Sequence, residues 1–150
     1  MKKVFILFLV GCLLFCTMSF VATASSAETT DIEYYDDGSY SVITIEPVSS
    51  AKGTVSKTKN SKYYNSNDVL QWKATLTASF TYNGSTASCT SASASYTIYK
   101  DSWSNTLSTA SKSGATATGN FTFKHYVLGI CTKTVNKTLT LTCDKNGKVT

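Results

Sequence analysis

A strict two-residue alternation over residues 69–82 constrains the fold of this chain more than any other feature. Every second side chain there is apolar or aromatic, and the residues between them are polar or small. The apolar series is Leu70, Trp72, Ala74, Leu76, Ala78, Phe80 and Tyr82. Such a pattern predicts a β-strand with one buried face. Asn83-Gly84 follows directly, and this dipeptide favours the two positive-φ positions of a tight hairpin turn.

Strand signals also surround this segment. Residues 54–64 are polar but rich in β-branched and aromatic side chains, and their lysines predict an edge strand protected from edge-to-edge pairing. Between residues 85 and 100 the apolar positions change parity, which predicts a bulge or a crossover near Thr90-Ser91.

Two further alternating segments follow near the C-terminus. Residues 115–125 and 131–143 each place their apolar side chains on one face, with Leu128-Gly129 as the turn between them. Leucine is a poor residue for a positive-φ position, so this turn is less clearly signalled. No helical period occurs after residue 27. We therefore expect an all-β fold, an antiparallel, immunoglobulin-like β-sandwich of about seven strands.

Residues 1–27 have the features of an export signal. Lys2 and Lys3 precede an almost wholly apolar run, and Ala22-Thr23-Ala24 supplies the small residues that a signal peptidase requires. The alternatives are a membrane anchor and a lipoprotein signal ending at Cys12. We expect cleavage and a secreted, extracellular protein without lipid anchoring at Cys12.

The charge pattern bears on partners and on domain organisation. The mature chain has twelve lysines, nine carboxylates and no arginine, which argues against nucleic-acid binding because arginine is the usual reader of phosphates and bases. Residues 28–53 hold six of the carboxylates, and Asp36-Asp37-Gly38 predicts a small hairpin in this acidic leader. We expect the leader either to lie on the lysine-rich domain formed by residues 54–150 or to be a solvated segment.

Three cysteines remain after the signal: Cys89, Cys131 and Cys143. An oxidising compartment favours one disulfide and one remaining thiol. Cys131 and Cys143 are about 40 Å apart along one extended strand, so Cys89 pairs with either of them. We favour Cys89–Cys143, because Cys143 ends an apolar series, with Cys131 as a buried free thiol and an intermolecular link as the alternative for it.

Catalytic and metal-binding constellations are weakly signalled. His125 is the single histidine, and a strand position explains it without a catalytic role. A Cys₃His zinc set of His125 with the three cysteines is the alternative, although its spacings match no zinc motif. We expect no catalytic residues, no metal and no cofactor. The tyrosines exceed what one core needs, and the candidate binding aromatics are Tyr63, Tyr64, Tyr99 and Trp103.

Several of these features together resemble a family of small, secreted, uncharacterised β-rich proteins of Gram-positive bacteria. The similar positions are Trp72, residues 80–87 with Cys89, Trp103, Ser113-Gly114, His125-Tyr126, Gly129 and residues 140–143. The resemblance implies a Cys89–Cys143 disulfide and carries no activity. Leu128 departs from the asparagine expected before Gly129, and Cys131 is an additional cysteine.

We therefore expect a secreted, non-catalytic extracellular protein that binds a protein, a glycan or a cell-wall polymer. The alternative is an antibacterial or membrane-active protein. Residues 90–120 alternate small and polar side chains, as do segments that pore-forming proteins refold into barrels. The lysine excess would favour an anionic membrane surface.

Overall fold

The computed structural model describes residues 28–150, with side chains from Asp31 onward. The expected signal segment, residues 1–27, lies outside the described residues. The described chain forms eight strands and contains no helix that could cross a membrane. The strands are β1 (Glu28–Tyr34), β2 (Tyr40–Ala51), β3 (Thr54–Tyr64), β4 (Leu70–Tyr82), β5 (Ala87–Ile98), β6 (Trp103–Ser113), β7 (Thr116–Val127) and β8 (Ile130–Thr142).

The strands form two antiparallel sheets that pack face to face. One sheet has the order β1-β2-β3-β4-β5 and the other the order β6-β7-β8. This arrangement confirms the all-β antiparallel sandwich, with eight strands where about seven were expected. Every neighbour within a sheet is also a neighbour in sequence, whereas an immunoglobulin domain has Greek-key connections. The sandwich is therefore built from two consecutive meanders.

The alternation over residues 69–82 produces the inner face of β4, as predicted. Trp72, Ala74, Leu76, Ala78 and Phe80 are at most 1 % exposed. The face of β7 that packs on them is equally buried and contains one glycine, Gly119. A Cβ atom at Gly119 would lie 3.1 Å from the Phe121 ring and 3.3 Å from Cδ1 of Leu76. The small residues on these inner faces thus bring the two sheets into close contact.

The Asn83-Gly84 and Leu128-Gly129 turns differ from the geometries that their sequences favour. Gly84 has positive φ but Asn83 does not, and the Asn83 side chain instead accepts hydrogen bonds from the backbone N–H groups of Ser85 and Thr86. Asn83-Gly84 is therefore part of a longer loop. Leu128 and Gly129 both have positive φ, 49° and 81°, so the residue pair with the weaker signal forms the tight two-residue turn.

Two predictions about strand pairing have opposite outcomes. The parity change in β5 is a bulge: Ser79 pairs with Ser91 and Phe80 with Cys89, which leaves Thr90 as the extra residue. The prediction that residues 54–64 form an edge strand is wrong. β3 pairs along its length with β2 on one side and β4 on the other, because the acidic leader supplies β1 and β2 to the same sheet.

The two sheets are offset sideways. β8 packs on β3 and β4, β7 packs on β4 and β5, and β6 lies beside β5. The backbone of β1 lies near that of β2 alone among the strands, and the backbone of β2 lies near those of its two sheet neighbours alone. The backbone of the acidic hairpin therefore extends past the smaller sheet, and the sandwich is open along the side where β8 ends that sheet.

Candidate functional site

The two ends of the sandwich differ in their side chains. We call the end that holds the turns at residues 35–39, 65–69, 99–102 and 128–129 the aromatic end. The opposite end, which holds the turns at residues 52–53, 83–86 and 114–115 and the C-terminal residues 143–150, is the cysteine end. The candidate site lies at the aromatic end.

A stack of buried rings forms the base of the aromatic end. Trp72 lies between Tyr63, at 4.8 Å, and Phe123, at 3.9 Å between ring centroids, and the three rings are nearly parallel. Trp103 meets both Tyr63 and Trp72 edge-on. Stacked and edge-to-face contacts of this kind add to the stabilisation from burial. The stack therefore gives the end of the sandwich a rigid apolar floor.

Polar side chains surround a cleft above this floor, which we call the end cleft. Its volume is about 250 Å³. The lining residues are Asp37, Ser39, Tyr63, Asn65, Ser66, Gln71, Trp103, His125 and Lys133. They come from both sheets and from two turns, so the cleft forms only when the meanders pack together. An apolar floor with a few convergent polar groups is the usual composition of a small-ligand site.

Lys133 on β8 is the most connected side chain of the end cleft. Its Nζ donates hydrogen bonds to Asp37 Oδ2 at 2.5 Å, the Tyr63 hydroxyl at 2.6 Å and Ser39 Oγ at 3.1 Å. It also lies 5.5 Å and 5.3 Å from the ring centroids of Tyr35 and Tyr63, within cation–π range. Lys133 therefore fastens the turn of the acidic hairpin to the opposite sheet.

These contacts shift the protonation equilibria of the ion pair. Burial acts to lower the pKa of Lys133, but its hydrogen bonds to Asp37 and Tyr63 outweigh burial and raise it. The hydrogen bonds that Asp37 accepts from Lys133 and Ser39 lower the pKa of its carboxyl to about 2. Both groups are therefore charged across the physiological range. This pairing agrees with the expectation that the acidic leader lies on the lysine-rich domain.

The other polar groups of the end cleft are held in fixed orientations. Trp103 Nε1 donates to Gln71 Oε1 at 3.2 Å, and Gln71 Nε2 donates to the Val69 carbonyl at 2.7 Å. His125 Nδ1 is 2.8 Å from Thr132 Oγ1, and its ring lies 5.1 Å from that of Trp103. Sequence reasoning missed Gln71 and Lys133, although each is a polar residue beside a strongly apolar strand face.

Only two of the four candidate aromatics line the end cleft. Tyr63 and Trp103 are 2 % and 7 % exposed, so they form its floor and do not project into solvent. Tyr99 is 46 % exposed and does not line the cleft. Tyr64 stacks on Tyr40 at 5.1 Å, which covers one ring face. The surplus tyrosines are therefore divided between the floor and the outer surface.

The cysteines are divided between the two ends. Cys89 and Cys143 are buried at the cysteine end, where their N–H groups donate to the consecutive carbonyls of Gly114 and Ala115. Burial raises the pKa of both thiols. All three cysteines are free thiols in this structure, so the expected Cys89–Cys143 bond is not formed in it and stays a prediction.

The expectation of a buried Cys131 is wrong. β8 has a bulge at Thr132, because His125 pairs with Lys133 and Tyr126 with Cys131. The bulge reverses the parity of β8, and Cys131 points away from the core and is exposed. His125 and Cys131 therefore lie at the aromatic end, far from the other two cysteines. The alternative zinc set is not assembled, and no other group of metal-binding side chains occurs among the described side chains of residues 31–150.

No protein-family model matches the sequence, and neither the curated proteins nor the solved structures include a match. The resemblance to secreted β-rich proteins of Gram-positive bacteria therefore stays a prediction. Any function must be argued from the end cleft and the surface of this chain.

Proposed function

We propose that this chain is a secreted, non-catalytic binding protein that holds a glycan or cell-wall polymer in the end cleft. The observation that supports this proposal is the composition of the cleft: polar side chains from both sheets surround a floor formed by the Tyr63 and Trp103 rings. Sugars combine hydroxyl groups with apolar ring faces, and such ligands need both kinds of contact. A volume of about 250 Å³ suits one sugar unit or the end of a chain.

The cleft contains both a hydrogen-bond acceptor and a donor, which are paired with each other in the free protein. Asp37, with a 56 % exposed side chain, accepts hydrogen bonds, and Lys133, with a 29 % exposed side chain, donates them. Gln71 is held by Trp103 and Val69. These groups are already oriented in the free protein, so little ordering entropy would oppose binding.

The hydrogen bonding in the cleft supports a non-catalytic role. Ser39, His125 and Asp37 all line it, but Ser39 Oγ pairs with Asp37, Tyr63 and Lys133. His125 pairs with Thr132. In a Ser-His-Asp triad the histidine bonds to both partners. This different connectivity favours binding over nucleophilic catalysis.

The test is retention of the mature protein on purified cell walls and titration with soluble wall glycans. Ser66 is exposed at the mouth of the cleft, so Ser66→Trp should block entry and abolish retention. Ser85→Trp, an exposed serine at the cysteine end, is the matched control and should bind as the wild type does. Equal retention of both variants, or none by the wild type, would overturn the proposal.

We also propose that the mature, exported protein has a Cys89–Cys143 disulfide. Both thiols are buried, and the backbone N–H groups of the two cysteines donate hydrogen bonds to neighbouring carbonyls of one turn. Repulsion from Cys89 contributes to the raised pKa of Cys143, after burial and Asp144, which is consistent with closeness of the two sulfurs. An extracellular setting would supply the oxidant.

A second candidate function, membrane contact, is favoured by the tip of the β7–β8 hairpin. Val127, Leu128 and Ile130 are 48 %, 99 % and 68 % exposed. The apolar tip and the lysine excess together fit an anionic bilayer surface. Leu128→Asn suits the test, because asparagine tolerates positive φ better than leucine. Dye release from anionic liposomes by the wild type but not by this variant would support membrane activity, and no release at micromolar protein would exclude it.

A further inference from the structure

Among the lysines that point into the sandwich, which include Lys57 opposite the buried Ala78, two lie close to each other on β3 and β8. The inner face of β8 reads Val135, Lys137, Leu139 and Leu141, and Lys137 is 6 % exposed. Lys59 occupies an inward position on β3, paired with the buried Leu76 of β4. Buried lysine is rare unless it is paired. With Lys133, these residues form a row that we call the lysine margin.

The partners of two of these lysines come from the acidic hairpin and lie on the solvent side. Glu33 pairs with Lys137, and Asp37 pairs with Lys133. The two carboxylate side chains are 47 % and 56 % exposed, whereas the lysines are 6 % and 29 % exposed. The chain thus covers its own cationic groups with solvent-accessible anions. An external anion could approach along the same side and replace them.

The third lysine has no such partner. Lys59 Nζ donates to the Thr140 carbonyl at 3.0 Å, and the two ion pairs in residues 31–150 involve other lysines. Burial, followed by repulsion from Lys137, lowers the pKa of Lys59, and Asp31 of the acidic hairpin opposes this shift without forming an ion pair. Ser61 lies next on the same strand face, and its buried hydroxyl has no hydrogen-bond partner within the described chain. The margin therefore has an ammonium group and a hydroxyl group that form no ion pair and no hydrogen bond with the hairpin.

We propose that the lysine margin binds a linear polyanion, whose charged groups take the places of the Glu33 and Asp37 carboxylates. Lys133 and Lys137 are about 13 Å apart at the rise of a β-strand, so a chain with repeated charges fits them better than a single small anion. The acidic hairpin is then an internal competitor that limits affinity in the free protein. This site shares Lys133 and Asp37 with the end cleft, but it extends from there to Lys137 and Lys59, and its ligand is an anion.

The experiment measures binding of the folded mature protein to long-chain inorganic polyphosphate, to polyglutamate and to neutral dextran at low salt. The wild type should bind one or both polyanions and not dextran. Preference between phosphate and carboxylate chains identifies the anionic group. Glu33→Gln removes one internal competitor and should tighten binding about tenfold.

The matched lysine variants locate the site. Lys59→Gln should weaken polyanion binding about tenfold, whereas Lys62→Gln should change it less than twofold. Lys62 is on the same strand but pairs with Lys73 on the outer face. Equal losses in both variants would show a non-specific charge effect and overturn the proposal, as would a Glu33→Gln protein that binds no tighter than the wild type.

Two controls separate this proposal from others. If Glu33→Gln does not fold, Asp37→Asn provides the same comparison. Asp37 is the other internal competitor, and its carboxylate is more exposed than that of Glu33, so its loss should disturb the fold less. A lysine that points inward from an edge strand also discourages aggregation. If Lys137→Gln only promotes self-association while Lys59→Gln leaves polyanion binding unchanged, the margin is a protective device and not a binding site. Wall-glycan retention tested in Lys59→Gln reports on the end cleft independently.

Discussion

The cysteine end and the aromatic end of the sandwich are closed by different kinds of interaction. Backbone hydrogen bonds fasten the cysteine end: Thr142 and Thr150 exchange two of them, and the N–H of Gly84 donates to the Lys145 carbonyl. The aromatic end also has backbone hydrogen bonds, such as those from Tyr99 to Gln71 and from Tyr126 to Ser102. In addition, the side chains of Lys133 and Gln71 hold turns and strands of both sheets together there. The same side chains line the end cleft.

This difference separates the roles of the two ends. Backbone bonds with glycine turns need no particular side chains, so the cysteine end can serve stability alone. A network of charged and polar side chains costs desolvation and must be fully paired to be stable. Such a network beside a cleft is therefore where binding is expected, and variants at the two ends should separate stability from binding.

Trp72→Ala should produce the largest effect. Trp72 is fully buried between Tyr63 and Phe123, and removing its ring leaves a cavity beneath the end cleft. We expect a loss of about 3–5 kcal/mol in the free energy of unfolding, measured by urea denaturation. Tyr99→Ala, with a half-exposed ring, should lose less than about 0.5 kcal/mol. Similar losses in the two variants would contradict a floor built on Trp72.

The disulfide gives the largest effect expected at the cysteine end. If Cys89 and Cys143 bond in the exported protein, reduction should lower the free energy of unfolding by at most about 4 kcal/mol. The Cys89→Ser/Cys143→Ser double variant should match the reduced wild type, and Cys131→Ser should match the oxidised one. Mass spectrometry of the exported protein should show one pair oxidised. Three alkylatable thiols would refute the pairing.

The cysteine end also shows what the sequence can predict. Three features are local sequence patterns: the alternation in β4, the bulge at Thr90 and the small residues of β7. They depend on which face a residue occupies, and period-two patterns report that directly. The fold class and the strands were therefore predictable from the chain alone.

The end cleft was less predictable, because its residues meet only through tertiary pairing. Asp37 and Lys133 are far apart in sequence and come together only after β8 packs beside the hairpin. The burial of Cys131 was misjudged because a bulge at Thr132 reverses the parity without a sequence signal. Likewise, the lysines within residues 54–64 suggested an edge strand. In the structure this strand is interior to its sheet, and β8 packs against the face that carries the inward lysines.

Glu33→Gln should have an intermediate effect on stability, and it tests whether the ion pair on the open side stabilises the fold. The change leaves the ammonium of Lys137 buried without a negative partner. We expect a loss of about 1–3 kcal/mol, below the full cost of a buried pair because Glu33 is half-exposed. Glu46→Gln on β2 is the control, since neither ion pair of the described residues includes it. Equal stabilities of the two variants would mean that Lys137 needs no partner.

The smallest effect is a pH dependence at the turn of the acidic hairpin. Hydrogen bonds from Lys133 and Ser39 lower the pKa of Asp37 from 3.8 to about 2. The folded state therefore binds fewer protons than the unfolded state between these values, and the contribution of Asp37 to stability is complete above about pH 4 and is lost as the pH falls towards 2. Because the carboxylate is more than half exposed, solvent screening limits this contribution to below about 1 kcal/mol.

Asp37→Asn should remove this contribution, so the stabilities of the variant and the wild type should converge in acid and differ at neutral pH. Asp144 at the cysteine end also has a lowered pKa, from backbone hydrogen bonds, and Asp144→Asn is the matched comparison. If only the Asp37 variant also loses ligand retention at neutral pH, the ion pair serves binding as well as stability; if both variants keep it, the Asp37–Lys133 pair is structural.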